Sequence, residues 1–336
     1  MDIVLKQRIR HGAFSYAVSH DLHKMAISSD KDIAIYSIPD FCQLAVVPVR
    51  NTSSMVFLSD NISLLVLNSI GQMFHWNGEM LEDHGVWPVP QWYESPLFYG
   101  SDSKIFWGSQ GGIWSYNVVQ RSMKKILSIP KDVNICRCDH GVIKALLTES
   151  SSVDEQIIGL MEVSYEGEIL SKRETKVPLK TRLINQPAWS NDDYIAVSTI
   201  AAPEQARPIF ERIATYSFTP EGRAVLEQDF WLPENISCPH SILYLLDGTG
   251  DICIAKEFDA DDNDGNLFCG NGILAQCCSG EENVVLMRMA DLQEICNIPK
   301  SLLTKGIKVN PPTFVWFAPD NLLVVGSWER LFVFST

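Results

Sequence analysis

Short apolar runs of strand length recur along the chain, separated by small polar clusters. The pattern is densest in the segment from Pro312 to Thr336, which carries β-branched and aromatic residues broken by Pro-Asp-Asn and Trp-Glu-Arg. It reads as three β-strands, 313–318, 321–327 and 330–335, with turn chemistry at the breaks. Three strands with an apolar open edge invite aggregation unless something pairs with that edge. The stretch Asp2-Ile-Val-Leu-Lys-Gln-Arg-Ile-Arg10 is a suitable fourth strand. A ring closed by the chain's own two ends is therefore expected.

Upstream, one column repeats: an aromatic residue closing a short apolar strand, followed by a small or polar residue. It contains Tyr36-Ser37, Trp76-Asn77, Tyr116-Asn117, Tyr165-Glu166, Tyr216-Ser217, Met289-Ala290 and Phe334-Ser335, six of the seven lead residues being aromatic. The residue two before each is apolar, which puts both side chains on one strand face. A second column of prolines follows at Pro48, Pro88, Pro130, Pro178, Pro233 and Pro299. Proline has no amide donor and belongs at a strand end or edge. Before the aromatic, the first five units show two further strands with a turn between them; in the sixth, 241–246, 252–258 and 273–278 all read as strands. Four strands per unit predict an all-β fold, a seven-bladed β-propeller of four-stranded blades, with residues 2–10 completing the last blade. The expected blades are 12–48, 49–88, 89–130, 131–178, 179–233, 234–299 and 300–336, in one domain.

This repeat resembles the WD40-like propellers, whose third strand ends in Trp-Asp. Trp76-Asn77 comes nearest to that pair, and Gly-His occurs only reversed, at His11-Gly12, His84-Gly85 and His140-Gly141. The resemblance implies the architecture, without the hydrogen-bonded Asp-His-Ser/Trp network of the strict family.

Three insertions, 149–155, 201–208 and 258–266, are expected between the second and third strands of their units. They would build up one side of one face, where a partner could dock.

Charge narrows the partners. The net charge is −14, and no basic stripe exceeds Lys124-Lys125 or Ser171-Lys-Arg-Glu-Thr-Lys. Phosphate binding needs such a stripe, so nucleic acid is not expected; a protein partner, with a basic surface, is. No apolar run approaches the roughly 18 residues of a membrane span. The start lacks a basic region followed by a hydrophobic one, so no leader is expected. Nine scattered cysteines then suggest reduced thiols in a cytoplasmic protein, monomeric by itself.

The chemistry-bearing candidates are few. Asp259, Asp261, Asp262 and Asp264 form an acidic loop that reads as solvated and partner-facing. As the alternative, Asp259, Asp261, Asn263 and Asp264 could hold Ca²⁺ loosely, although the EF-hand pattern fails at Asp264 and Gly270. Trp92 and Tyr93, in a proline-flanked connection, are either packed between blades or exposed as interface anchors. His20-Asp21-Leu22-His23 reads as a polar turn. Cys136 and Cys138 read as buried on one strand face, and Cys277-Cys278 as pointing to opposite faces, so no cofactor is expected. The functional expectation is a non-catalytic protein-binding scaffold. The alternatives are a propeller enzyme, a metal-dependent hydrolase or lyase working at the central channel, and a sugar-binding propeller.

Overall fold

Strand β1 (Val4–Ile9) pairs with β26 (Leu331–Ser335) at the far end of the chain, not with its sequence neighbour. The ladder is antiparallel and runs from Val4 opposite Ser335 to Ile9 opposite Leu331. The computed structural model describes residues 3–86, 96–101, 103–150, 155–178, 188–189, 195–201, 240–247, 251–258, 267–278, 283–304 and 312–336. Among these residues no helix is long and apolar enough to cross a membrane.

The other sheets use strands consecutive in sequence. The first contains β2 (Tyr16–Val18), β3 (Lys24–Ser28), β4 (Ile33–Ser37) and β5 (Gln43–Val47). Its central hairpin is set locally: the amides of Lys31 and Asp32 donate to Ser29 Oγ at 3.2 and 3.1 Å, and that hydroxyl donates to Asp32 Oδ1 at 2.8 Å. Such side-chain turns tie off a hairpin without using ladder groups. The second sheet contains β6 (Thr52–Phe57), β7 (Leu64–Asn68), β8 (Gln72–Trp76) and β9 (Leu81–Val86). Next come β10 (Phe98–Tyr99), β11 (Lys104–Asn117), β12 (Ser122–Asp139), β13 (Val142–Ser150), β14 (Glu155–Ser164) and β15 (Ile169–Pro178), in a single sheet. A further sheet contains β16 (Ala188–Trp189), β17 (Ile195–Ala201), β18 (His240–Leu246) and β19 (Ile252–Phe258). It is followed by β20 (Leu267–Gly270), β21 (Ile273–Cys278), β22 (Asn283–Arg288) and β23 (Glu294–Ile298). After the short helix α1 (Lys300–Thr304), β24 (Pro312–Ala318) and β25 (Leu322–Ser327) complete the sheet ordered β1-β26-β25-β24.

These antiparallel sheets are the blades of a β-propeller. Apolar residues on both faces of their strands pack neighbouring blades together. Ala26, Ile33 and Ile35 pack on Met55, Phe57 and Leu64 of the second sheet. Leu65, Leu67 and Met73 pack on Ile105, Trp107 and Tyr116 of the third. The last sheet is covered on both sides. Phe332 and Phe334 pack with Val284 and Leu286, while Val324 and Val333 pack with Met25 and Ile27 of the first sheet.

Among the described residues six hydrogen-bonded sheets are found, not seven. The difference arises in the third and fourth repeats. Strand β12 pairs with β11 through Ser122–Ser128 and again at Asp132, opposite Gln110, and with β13 through Asp132–Asp139, so one strand joins both repeats into a six-stranded sheet. Within β11 the chain reverses: Val118 donates its amide to Ser103 O at 3.0 Å. A straight strand rising about 3.3 Å per residue would hold those two groups far apart.

The fifth repeat also differs. Its third strand is His240–Leu246, in unbroken register with Ile195–Ala201, and its fourth is Ile252–Phe258. Tyr216 and Pro233, expected to mark those positions, lie outside the described residues. The strand that fills the place ends in Leu246-Asp247, so an aromatic marker could not find it. The boundary expected at 233/234 therefore does not separate the two sheets, and the acidic loop follows a fourth strand instead of a second.

Candidate functional site

Antiparallel order sorts the connections onto two ends of the propeller. The turns joining first to second and third to fourth strands lie at one end, and all are short; the longest runs from Phe57 to Leu64. The other end carries the links from second to third strands and from each sheet to the next. There the chain leaves at Val86, Pro178, Ala201, Phe258 and Ile298, and returns at Phe98, Ala188, His240, Leu267 and Pro312. Trp92, Tyr93, Asp259, Asp261, Asp262, Asn263 and Asp264 lie outside the described residues. The strand ends that flank them belong to this second end.

The other sequence candidates separate. His20 has Nε2 3.2 Å from Phe57 O and its ring beside Tyr99, whereas Asp21 accepts from Ser19 Oγ at 2.6 Å and from the His23 amide at 3.1 Å. The Ser19 hydroxyl is the main reason the Asp21 carboxyl titrates below its ordinary value. This is the polar turn that was expected. Strand alternation does not carry through Cys136 and Cys138, because a bulge lies between Ile135 and Arg137. Cys138 instead joins the core of Val133 and Ile135. Burial pushes the Cys136 thiol up to about 12 and raises Cys138 as well, so neither is a ready thiolate ligand. Cys277 packs in the core shared by the last two sheets.

A constellation missed in the sequence lies between the second and third sheets. His75 is paired with Glu82 across the β8–β9 hairpin, and His84 follows two residues along the same face. One ligand atom from each of the three lies within 4.8 Å of the others. A register shift after the Phe74–Asp83 pair marks a bulge, with Gly85 at φ 90°, a conformation that favours glycine. The His84 side chain is 1% exposed and its Nδ1 lies 2.8 Å from Tyr116 Oη of β11. Its Nε2 faces Glu82 Oε2 at 3.7 Å, and Arg121 Nη2 holds the same oxygen at 2.5 Å. The buried Nε2 atoms of His75 and His84 both lack a hydrogen-bond partner. Burial holds both imidazoles below their usual pKa, with Arg121 adding to the effect and Glu82 opposing it. Both rings are therefore neutral near pH 7. The signal in the sequence was His, then Glu and His after an Asn77-Gly78 turn, which becomes a cluster only once hairpin register is assigned.

No family model and no curated protein matches the chain.

Proposed function

We propose that the chain is a non-catalytic, protein-binding scaffold on a WD40-like ring of seven blades. One observation supports the count of seven and another the closure of the ring. The reversal between Ser103 and Val118 favours reading the six-stranded sheet as two units that meet at Asp132, which pairs with both Gln110 and Thr148. The β1–β26 ladder, with the packing of Val333 on Met25, supports closure of the ring by the N-terminal strand.

The observation that carries the scaffold reading is the inequality of the two ends. Short turns close one end, and the long connections all leave from the other. Those connections bring Trp92 and Tyr93 as aromatic anchors and Asp259, Asp261, Asp262 and Asp264 as an acidic rim, on a chain of net charge −14. A cytoplasmic protein with a basic surface suits this end better than nucleic acid or a membrane. The scaffold is a monomer by itself and needs no cofactor; Ca²⁺ on Asp259, Asp261, Asn263 and Asp264 is not required.

The test is capture from lysate with the tagged full chain, beside one variant with 259–264 replaced by Ser/Gly and another carrying Trp92→Ala and Tyr93→Ala. One stoichiometric protein, lost from both variants and weakened by salt, is the expected result. A partner recovered equally with all three chains would remove the long-connection end as the docking face.

A further inference from the structure

We propose that His75, Glu82 and His84 bind a first-row divalent metal ion, Zn²⁺ foremost, in the seam between the second and third sheets. The site is independent of the scaffold reading.

The three donors stand on paired strands, not on a loop, so their relative positions are held by the ladder that sets His75 opposite Glu82. Around Zn²⁺, ligands at roughly 2.0–2.2 Å in a tetrahedron are about 3.4 Å apart. Donors already within 4.8 Å of one another reach that spacing by small side-chain rotations. The donor set, two imidazoles and one carboxylate, suits Zn²⁺ and its neighbours. Ca²⁺ and Mg²⁺ prefer shells built from oxygen. Three protein ligands leave a fourth position for water.

Two features point to an ion and not to a simple polar seam. A buried nitrogen left without a partner forfeits the hydrogen bond it would make in water, and here the two Nε2 atoms of neighbouring histidines are both in that state. A single cation would satisfy both. The Tyr116 hydroxyl, 2.8 Å from His84 Nδ1, supplies the outer hydrogen bond that orients a ligating imidazole. When that hydroxyl accepts from Nδ1–H, the lone pair of His84 is on Nε2, beside Glu82. Arg121 is the competitor: its guanidinium neutralises Glu82 and must yield part of that carboxylate to the ion.

The experiment titrates the reduced, chelator-treated full chain with ZnCl2 by calorimetry and with CoCl2 by visible absorption. Nine cysteines can also take up zinc, so the readout is the difference between wild type and variants. Wild type should bind one equivalent more than Glu82→Gln or His75→Gln, and that equivalent should give a cobalt spectrum without thiolate charge transfer. Tyr116→Phe should weaken it about tenfold, as removal of an outer-shell partner does. Arg121→Gln should tighten it, a direction that loss of folding cannot mimic. Equal uptake and equal spectra in wild type, Glu82→Gln and His75→Gln would overturn the proposal. So would weaker binding in Arg121→Gln with the fold intact by circular dichroism.

Discussion

Gly12 lies directly against the backbone of Trp328: a Cβ placed on residue 12 would stand 2.4 Å from the Trp328 carbonyl oxygen. The approach is locked on either side. The Ala13 amide donates to Ser327 O at 2.8 Å, and the rings of Phe14 and Trp328 meet with centroids 5.5 Å apart. This is the seam between the first and last sheets, and backbone on both sides leaves it little room to yield. Gly12→Ala should therefore lower stability by about 1–3 kcal/mol, as overpacking does. Urea denaturation would read this as a lower midpoint at unchanged slope. A midpoint equal to wild type would mean that the seam is looser than this geometry.

The strand beside that seam can be removed. Deleting residues 1–10 strips β26 of its outer partner, exposing the ladder groups of Leu331–Ser335 that face β1 and the core that Leu5 and Ile9 help to cover. Each of those two side chains contributes on the order of 1–2 kcal/mol of burial, and the bare edge becomes a template for association. The truncated chain should melt several degrees lower and gain concentration-dependent light scattering. Unchanged melting would show that the first strand is dispensable for the ring.

What was legible in the sequence followed from side-chain alternation, and what was not followed from pairing. Tyr36, Tyr116 and Phe334 each stand next to the last residue of a strand and are buried, because a large ring two residues after an apolar one fills the gap between neighbouring sheets. Pro48, Pro178 and Pro299 fall where the last strand of a sheet ends, and there the missing amide does no harm. The fifth unit was misread because Leu246, not an aromatic residue, closes the strand paired with Ile195–Ala201. His75, Glu82 and His84 escaped notice for a related reason. Their spacing has no meaning along the chain, and becomes a site only when His75 is set opposite Glu82.

Asp60 ties the turn between the first two strands of the second sheet. Its Oδ1 accepts from the amides of Ile62 and Ser63 at 2.9 and 2.8 Å, and its Oδ2 accepts from Ser63 Oγ at 2.5 Å. Burial works against the charge, but the Ser63 hydroxyl and the two amides outweigh it and hold the carboxyl below its ordinary value. A depressed folded-state pKa contributes stability that is present above the unfolded value, about 3.9, and is lost as pH falls through the folded one. Asp60→Asn should thus cost about 1 kcal/mol near neutrality. The gap to wild type should close as the solution is acidified below about pH 4. A gap independent of pH would mean that the hydrogen bonds act without the charge.

The thiols offer a map of the fold that needs no substitution. Cys42 and Cys253 are exposed, while Cys277 is buried. Burial pushes Cys136 and Cys269 up to about 12 and raises Cys138. Cys253 is raised too, by partial burial first and then by the carboxylate of Asp247. A raised pKa leaves less thiolate at any given pH, and thiolate is the species that alkylates. With iodoacetamide near pH 8, Cys42 should therefore label first and Cys253 more slowly. Cys136, Cys138, Cys269 and Cys277 should label only after denaturant is added. Peptide mass spectrometry over time gives the order directly. If Cys136 and Cys138 labelled as fast as Cys42 in native protein, the bulged start of the β12–β13 ladder would have to be open to solvent, and the core of Val133, Ile135 and Ile143 with it.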